Sequence, residues 1–397
     1  MEPGDVVSGR FRIDRRAGSG GMGSVYRATD HVTGEAVALK LLHPGVPDGA
    51  LRFAREAAAL ARMSHPSVVR YVAHGTTANI PFVAMEWLEG EDLTRRLRRQ
   101  GLTLAETVEL GRRVAEALGH AHALGIVHRD VKPANLFFRD GDLARLCVLD
   151  FGLARLTGDE SGLHTAVGTL LGTPGYMAPE QARGAVDIDA RVDVFALGCV
   201  LYKCLTGQGP FAGPDAVATL AKVLFDEPPR LGTVLPGAPA DLEELLAQML
   251  DKAPAARPRD GAEVAERLAS ANVTDTASVR APAAPLQAVL TSREKRVVSV
   301  VVAARGRFGD EERTMLRNAE ALFLEREGAL RDAAALFGAR IEVLAGAVVA
   351  TLHGRGSATD QRRRPRASAS PSGTSCRGSR WRSRRDAPRS ASARWAT

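Results

Sequence analysis

A short segment of the chain, His128–Asn135, carries a carboxylate, a lysine and an amide between two apolar stretches. Asp130, Lys132 and Asn135 are followed fifteen residues later by Asp150, which opens an Asp-Phe-Gly tripeptide. One carboxylate can accept a proton from a hydroxyl, while a second carboxylate and an amide oxygen can hold a divalent cation. Phosphoryl transfer depends on positioning and electrostatics and needs such groups to converge on one cleft. The residue types present here agree with these requirements of phosphoryl transfer.

A glycine-rich segment near the N-terminus could bind phosphates. Gly18, Gly20 and Gly23 form a G-x-G-x-x-G-x-V pattern with Val25. Without a Cβ, such residues let backbone N–H groups approach phosphate oxygens. A plain hairpin would show the same pattern, so the motif is weak alone. It precedes a predicted strand, not a helix, which argues against a dinucleotide fold.

Three further features follow in a fixed order. Lys40 ends an apolar strand and faces the same phosphates if the glycine-rich segment folds over one cleft. Glu56, on the next predicted helix, could pair with Lys40, although many helical glutamates are simply solvated. Residues 172–180 read G-T-P-G-Y-M-A-P-E. Any one of these tripeptides occurs by chance, but their combined order and spacing is specific.

The elements that must position these residues fall into two groups. The sequence predicts strands at Phe11–Arg15, Ser24–Asp30, Ala36–Leu42, Val68–His74 and Phe82–Glu86. Between the third and fourth of these strands, helical spacing of apolar residues predicts a helix at Leu51–Met63. Helical spacing then dominates, at Leu104–Leu124, Asp189–Thr206, Ala216–Val223, Ala240–Leu250 and Gly261–Ala269. A small β-rich lobe followed by a larger helical lobe is expected.

Over residues 8–270 these motifs resemble the protein-kinase family, specifically the bacterial eukaryotic-like (Hanks-type) serine/threonine kinases. The resemblance implies an α+β, two-lobed kinase fold that binds ATP between a β-rich N-lobe and a helical C-lobe. It implies transfer of the γ-phosphoryl group of Mg-ATP to Ser/Thr hydroxyls of proteins in bacterial signalling, with Mn²⁺ as an alternative metal. The implied partners are protein substrates and the chain itself, through autophosphorylation.

The resemblance also implies roles for individual residues. Asp130 would accept the substrate proton and Lys132 would steady the γ-phosphate. Lys40, held by Glu56, would contact the α- and β-phosphates. The residues implied to contact ATP are Ala17, Gly18, Ser19, Gly20, Gly21, Met22, Gly23, Val25, Ala38, Lys40, Glu56, Met85, Glu86 and Leu88. Among them Met85 resembles the gatekeeper.

Metal binding and internal anchoring follow from the same resemblance. Asn135 and Asp150 would hold Mg²⁺. Glu180 would pair with Arg257, and Asp193 resembles the helix-borne aspartate that anchors the loop around Asp130.

Regulation is suggested by Arg129, which immediately precedes Asp130. Family members with this arginine are typically switched by phosphorylation, because a phosphate gains contacts to arginine and orders its segment. Thr165 and Thr169 are the predicted sites. Thr173, together with Lys132, is typical of serine/threonine kinases and argues against tyrosine specificity.

A non-catalytic scaffold, in which the same ion pairs are only structural and the tail recruits an acidic partner, is the alternative. The intact set of Lys40, Asp130, Asn135 and Asp150 favours the enzyme.

Beyond the predicted kinase domain, residues 271–292 are rich in Ala, Ser, Thr and Pro and are expected to be a linker. Residues 293–355 show a βαβ pattern: a strand at Arg296–Ala304 and a strand or hairpin at Ile341–Leu352 flank a charged helix at Asp310–Phe337. They faintly resemble a degenerate or truncated class III nucleotide-cyclase module, although an unrelated α/β fragment remains open. Neither strand region offers the metal-binding aspartates of such cyclases, so cyclase chemistry is not expected.

The net charge of +7 belongs to the tail. The last 37 residues hold eleven Arg and one Asp, a charge of +10, which leaves the first 360 residues at −3. Basic character therefore gives no support to nucleic-acid binding by the predicted kinase domain. Residues 356–397 are expected to be disordered. Three origins are open: a frameshifted or truncated end, a native tail, and a nucleic-acid-binding segment.

Cysteine usage and hydropathy bear on location. The four cysteines form no C-x-x-C pair, so neither a zinc site nor a disulfide framework is predicted. The first 16 residues lack the apolar core of a signal peptide. With no apolar run of about 18 residues, no membrane span is expected, and a cytoplasmic location is predicted.

Overall fold

The computed structural model describes residues 1–20, 23–42, 57, 60–151, 174–185 and 187–271, together with the backbone of three strands between 298 and 353. The chain divides into two compact units, Met1–Ala288 and Val289–Thr397. The predicted linker, the predicted helix at Asp310–Phe337 and the tail lie outside the described residues.

The first unit begins with an antiparallel sheet of six strands in the order β1-β2-β3-β4-β6-β5. Its strands are β1 Val6–Val7, β2 Phe11–Gly20, β3 Gly23–Asp30, β4 Ala36–Leu42, β5 Tyr71–Thr77 and β6 Ile80–Glu86. Side chains of β3 and β4 alternate between buried and partly exposed, as expected of strands with one covered face. Phe11 and Phe82 meet edge to face at 5.8 Å on that face. The predicted β-rich lobe is confirmed.

The predicted strand Val68–His74 begins too early. Residues 67–69 instead pair with a strand of the second lobe: Val69 donates to Val148 O at 3.2 Å, and Val148 donates to Ser67 O at 2.8 Å. Only from Tyr71 does the chain join the first sheet. The first residues of this apolar run therefore pair with one sheet and the following residues with another. Because both segments are extended, the periodicity of the sequence does not show where one ends and the other begins.

Helices dominate the second lobe. They are α1 Leu93–Arg99, α2 Leu104–Ala123, α3 Pro179–Arg183, α4 Arg191–Thr206, α5 Ala216–Phe225, α6 Leu231–Val234, α7 Ala240–Met249 and α8 Gly261–Ser270. α2 starts with a capping box, in which Thr103 and Glu106 satisfy each other's backbone N–H groups. α4 is buried on nearly every side and forms the centre of the lobe. The long helices begin and end within about two residues of their predicted limits.

α2 and α8 cross at very short range because glycine lies at the contact. A Cβ at Gly261 would stand 2.5 Å from Ala115 O, and one at Gly119 would stand 2.7 Å from Ala262 N. No side chain larger than hydrogen fits such a crossing. This approach brings the backbone of Gly261 against His122 at the end of α2.

A small antiparallel sheet lies between the first sheet and the helices. It consists of β7 Gly90–Asp92, β8 Leu136–Arg139 and β9 Leu146–Val148, in that order. An apolar strand was predicted before Asp150, at Leu146–Leu149, and β9 confirms it to within one residue. β7 and β8 were not predicted, since three or four residues are too few to show a period. β8 follows the 3₁₀ turn Pro133–Asn135, and β9 leads directly to Asp150.

The second unit contains a three-stranded sheet. β10 Val298–Ala304 and β11 Ala339–Leu344 each pair antiparallel with β12 Ala347–His353, which lies between them. Strands were expected at these positions, and the open choice at Ile341–Leu352 between one strand and a hairpin is decided for the hairpin.

Candidate active site

The segment connecting α2 to β8, residues 124–135, is called the catalytic loop below. Lys132 Nζ donates to Asp130 Oδ2 at 2.7 Å, and Asn135 Nδ2 lies 3.2 Å from the same oxygen. Asn135 Nδ2 also donates to Asp130 O at 2.8 Å, because the 3₁₀ turn folds Asn135 back towards it. The structure thus brings these three predicted residues around one carboxylate. With its amide nitrogen so used, Asn135 retains its amide oxygen for another ligand.

Asp193 holds the catalytic loop from beneath. Its side chain, fully buried on α4, accepts 2.7 Å hydrogen bonds from the backbone N–H groups of His128 and Arg129. His122 Nε2 lies 3.0 Å from the same carboxylate. Because Gly261 N–H donates to His122 Nδ1 at 3.1 Å, the ring proton is on Nε2 and points at Asp193. The anchoring role predicted for Asp193 agrees with this arrangement.

Arg129 adopts an unusual backbone conformation, with φ +65°. A branched or long side chain rarely occupies this region, and surrounding contacts must maintain it. Arg129 N–H is held by Asp193, and Arg129 O accepts from Gln181 Nε2 at 3.1 Å. Both sides of the strained residue are therefore fixed, which sets the direction of Asp130.

Replacing Asp193 by Asn should destabilise the protein and reduce its activity. The amide group would point an N–H at a backbone N–H or at His122 Nε2–H, leaving a buried donor unpaired. We expect the free energy of unfolding in urea to fall by about 2–3 kcal/mol. Phosphoryl transfer should fall with it, because Arg129 is released.

Asp189→Asn is the matched control. Asp189 lies just before the same helix, exposed and paired with Arg191. Exposed pairs contribute about 0–1 kcal/mol. Equal unfolding curves for D189N and D193N would contradict the anchoring role.

Lys40 reaches across the cleft to Asp150. Lys40 Nζ, from β4, lies 2.8 Å from Asp150 Oδ1. Burial acts to raise the pKa of Asp150, but the Lys40 ammonium, with His128 and Lys132 nearby, holds it below its ordinary value. Asp150 is therefore an anion at neutral pH. Glu56, the partner predicted for Lys40, lies outside the described residues.

Backbone contacts fasten Asp150 to the catalytic loop. Leu149 N–H donates to Asn135 O at 2.8 Å, and His128 Nε2 donates to Leu149 O at 2.9 Å. The His128 ring also packs on Phe151 at 4.6 Å between centroids. His128 was not among the predicted site residues, although its place in the His-Arg-Asp motif was a usable indication. Asp150 and Asn135 consequently belong to one rigid unit.

The oxygen ligands of this unit suit a divalent cation shared with a nucleotide. Within the described part of the chain, no group of three or more His, Cys, Asp and Glu side chains could hold a metal ion. Mg²⁺ is usually bound through one or two carboxylates plus substrate phosphates, not by an all-protein cage. The Asp150 carboxylate and the Asn135 amide oxygen fit that mode.

The glycine-rich strands approach the rest of the sheet very closely. Gly20 on β2 and Gly23 on β3 are paired across the turn between them. A Cβ at Gly23 would lie 2.2 Å from Leu41 O, so only glycine fits there. Gly21 and Met22, which connect β2 to β3 in the sequence, lie outside the described residues.

Several of the side chains predicted to contact ATP occupy adjacent strands of the first sheet. Val25 on β3 is paired with Lys40 on β4, and Ala38 on β4 is paired with Met85 on β6. Met85 is buried at the end of the sheet nearest the second lobe. The remaining predicted contacts on β2 are Ala17, Gly18 and Ser19.

Glu86 connects the two lobes. Its carboxylate accepts from Arg139 of β8 at 2.7 and 3.1 Å. Its N–H donates to Arg70 O at 3.0 Å, so that group is not available to a nucleotide. Leu88, two residues on, packs beside Met85. Glu86 thus links the two lobes through its ion pair with Arg139, a role that the sequence did not predict.

Glu180 and Arg257 form the predicted pair. The two guanidinium nitrogens lie 2.6 and 2.9 Å from the two carboxylate oxygens, and the Arg257 side chain is fully buried. Such bidentate geometry is the strong form of this interaction. It fixes the segment after residue 174 to the helical lobe. The predicted regulatory residues Thr165, Thr169 and Thr173 lie outside the described residues.

The two lobes and their cleft match a known architecture. A family model described as the protein kinase domain matches residues 11–268. The chain belongs to the protein kinase family. The fold expected from the motifs is thereby confirmed, with the kinase domain covering most of the first unit.

Relatives of this kinase domain are bacterial serine/threonine kinases. The DNA damage-responsive serine/threonine-protein kinase RqkA of Deinococcus radiodurans is 38% identical over 270 residues, covering 67% of this chain and 40% of that protein. PknJ of Mycobacterium tuberculosis is 37% identical over 278 residues, covering 68% of this chain and 46% of that protein. The chain spans less than half the length of these relatives. Its resemblance to the bacterial Hanks-type kinases is confirmed.

Solved structures that match this chain also contain a kinase domain. The kinase domain of Mycobacterium tuberculosis PknI matches with a TM-score of 0.54 and 28% identity, covering 68% of this chain and 98% of that one. Rad53 1-466, solved in complex with AMP-PNP, matches with a TM-score of 0.53 and 25% identity, covering 65% and 64%. A kinase domain implies the use of ATP and a divalent metal. No helix in the described part of this chain is long and apolar enough to cross a membrane.

Proposed function

We propose that this chain is a serine/threonine protein kinase that transfers the γ-phosphoryl group of Mg-ATP to hydroxyl groups of proteins. One observation carries the proposal: Asp130, Lys132 and Asn135 meet at one carboxylate, and Leu149–Asn135 backbone pairing sets this group beside the Lys40–Asp150 pair. A cytoplasmic location, where ATP is available, is part of the proposal.

Asp130 is suited to accept the proton of the attacking hydroxyl. Its side chain is partly exposed, so a hydroxyl can reach it. Lys132, 2.7 Å away, holds the carboxylate in one rotamer and keeps a positive charge where the transferred phosphoryl group develops negative charge. Since the backbone before Asp130 is fixed through Arg129, this orientation costs little when the substrate binds.

Lys40 and Asp150 divide the binding of ATP between them. Lys40 is the cation for the α- and β-phosphates, and Asp150 with Asn135 would hold Mg²⁺. When bound, the metal ion neutralises charge that develops on the phosphate oxygens. A carboxylate and an amide oxygen are ligands that suit both Mg²⁺ and Mn²⁺. Mg²⁺ is favoured because it is the ion that accompanies ATP.

Serine/threonine specificity is supported by two features. Lys132 follows Asp130 by two residues, the arrangement that predicted this class, and Thr173 precedes the A-P-E sequence. The relatives named above are serine/threonine kinases as well.

Autophosphorylation between residues 152 and 173 is the regulatory part of the proposal. After incubation with Mg-ATP, peptide mapping should find phosphate on Thr165 or Thr169, and the doubly substituted T165A/T169A protein should phosphorylate an added protein more slowly. A phosphate there adds charge that an arginine can bind, which orders the segment.

Ser270→Ala is the control for the threonine substitutions. Ser270 ends α8, where its exposed hydroxyl donates only to Arg267 O in the same helix. S270A should therefore phosphorylate the added protein at the wild-type rate. Phosphate found only on tyrosine would contradict the proposed specificity, and full activity with an unmodified segment would contradict the regulation.

A further inference from the structure

Lys252 places an ammonium group against the C-terminal end of α5. Lys252 Nζ donates to Val223 O at 2.7 Å and lies 3.4 Å from Lys222 O, both in the last turn of α5. Lys222 O also accepts from Asp226 N–H at 2.9 Å, whereas Val223 O is one of the final carbonyl groups of a helix, which lack intrahelical partners and carry partial negative charge. A cation from another part of the chain therefore caps this helix.

The ammonium is held in a partly buried pocket. It lies 3.7 Å from the centroid of the Phe211 ring, close enough for a cation–π interaction. Burial lowers the pKa of Lys252 to about 8. The ionisable groups that face it are Cys199, Asp226, Arg257 and Arg183. The carbonyl and aromatic partners offset the hydration that the charge has lost.

This pocket is continuous with the Glu180–Arg257 pair. Arg257 Nη2 donates to Lys252 O at 3.3 Å, and the Arg257 guanidinium lies 4.9 Å from the centroid of Phe195. Phe195 in turn stacks on Phe211, with centroids 5.7 Å apart and planes 4° from parallel. Two cations thus bracket one aromatic pair, and α5 is linked through them to Glu180.

The other side of α5 contacts the segment that leads to Glu180. A Cβ at Gly175 would lie 3.6 Å from Thr219 Cγ2, so the turn Pro174–Tyr176 packs against α5. The same segment reaches the catalytic loop through Gln181 Nε2 and Arg129 O, 3.1 Å apart. α5 and this turn therefore form a surface continuous with the loop that carries Asp130. A polypeptide that presents its hydroxyl to Asp130 must rest on a surface of this kind.

We propose that Lys252 is a positioning residue for the protein substrate: it fixes α5 against the Pro174–Tyr176 turn, so that the polypeptide finds a preformed surface. The inference rests on the proposed kinase function and extends it to the binding of the phosphoacceptor. It assigns Lys252 no part in binding ATP.

Kinetics separate this role from a general loss of structure. With myelin basic protein as acceptor, K252M should raise the acceptor KM about tenfold, the worth of one charge-assisted hydrogen bond. The KM for ATP and the rate of ATP hydrolysis without acceptor should stay close to wild type. K252R should restore most of the acceptor affinity. R259M is the matched control, because Arg259 is an exposed cation seven residues further on that pairs with Asp260 and Glu263 and lies outside α5.

Hydrogen exchange tests the same inference without relying on catalysis. In K252M, amides of residues 216–225 and 174–177 should exchange faster, while those of β2–β4 stay as in wild type. If K252M does not fold, K252Q, which keeps two donors and loses the charge, takes its place. Equal losses in ATP and acceptor binding, or unchanged exchange in α5, would overturn the inference. If the wild-type protein transfers no phosphate, the proposed function fails by itself, and the exchange experiment still decides whether Lys252 positions α5.

Discussion

Substituting Asp130 by Asn should lower kcat by about 10²–10⁴-fold, the usual contribution of a positioned general base. The amide is nearly the same size, so the fold should be retained, but it cannot take the hydroxyl proton. Its nitrogen would also face the donors Lys132 Nζ and Asn135 Nδ2, which now surround a carboxylate oxygen. The KM for ATP should change by no more than about threefold, since Asp130 is not assigned a phosphate or metal contact.

Asp140→Asn is the matched control for this substitution. Asp140 lies in the turn after β8, exposed, with φ +52°, a conformation that asparagine adopts readily. D140N should therefore keep wild-type kcat. If D130N retained more than about a tenth of wild-type kcat, Asp130 would not be the base.

Substituting Asp150 by Asn should be equally damaging for a different reason. The change removes the anionic ligand proposed for the metal and leaves Lys40 without the carboxylate that lies 2.8 Å away. A metal ion contributes several kcal/mol of charge stabilisation, and about 4 kcal/mol corresponds to a 10³-fold loss in rate. Unlike D130N, the D150N protein should also need a higher Mg²⁺ concentration for half-maximal activity.

Metal titrations of both variants distinguish the two aspartates. Asp142→Asn serves as the control, because Asp142 caps a surface 3₁₀ turn and asparagine can do the same. An unchanged Mg²⁺ requirement in D150N would show that Asp150 does not hold the metal.

The sequence predicted the framework of the kinase domain well. β4 was foreseen because Val37, Leu39 and Leu41 alternate with less buried residues, Lys40 among them. α4 was foreseen from its nearly unbroken apolar run, and it proves to be the buried centre of its lobe. In β4 the apolar pattern alone determines which face is buried, and in α4 it indicates burial on nearly every side, so one sequence is sufficient.

The contacts that position the site were less accessible. His122 and Asp193 are 71 residues apart, and Glu86 and Arg139 are 53 apart. The resemblance predicted the anchoring role of Asp193, but neither its partner His122 nor the pairing of Glu86 with Arg139 was predicted. Only the fold determines which charged groups meet, because burial and partner are tertiary properties.

The contacts of Lys252 could not be predicted from the sequence either. In the sequence it follows Asp251 after an apolar helix and is typical of a solvated surface charge. Its role emerges only when Phe211 and the end of α5 are brought against it. Residue type and spacing thus predicted the chemistry of the cleft, but not the contacts that hold the protein-binding surface beside it.

The most direct test is a single-turnover measurement of phosphoryl transfer, with Mg-ATP and a protein acceptor both saturating, in wild type and D130N. Our account predicts that wild type transfers labelled phosphate to serine or threonine in one rapid phase. In D130N the same amount of phosphate should be transferred about 10²–10⁴ times more slowly. The ATP concentration that saturates D130N should be the same as for wild type. Equal rates in the two proteins, or no transfer by wild type, would contradict it.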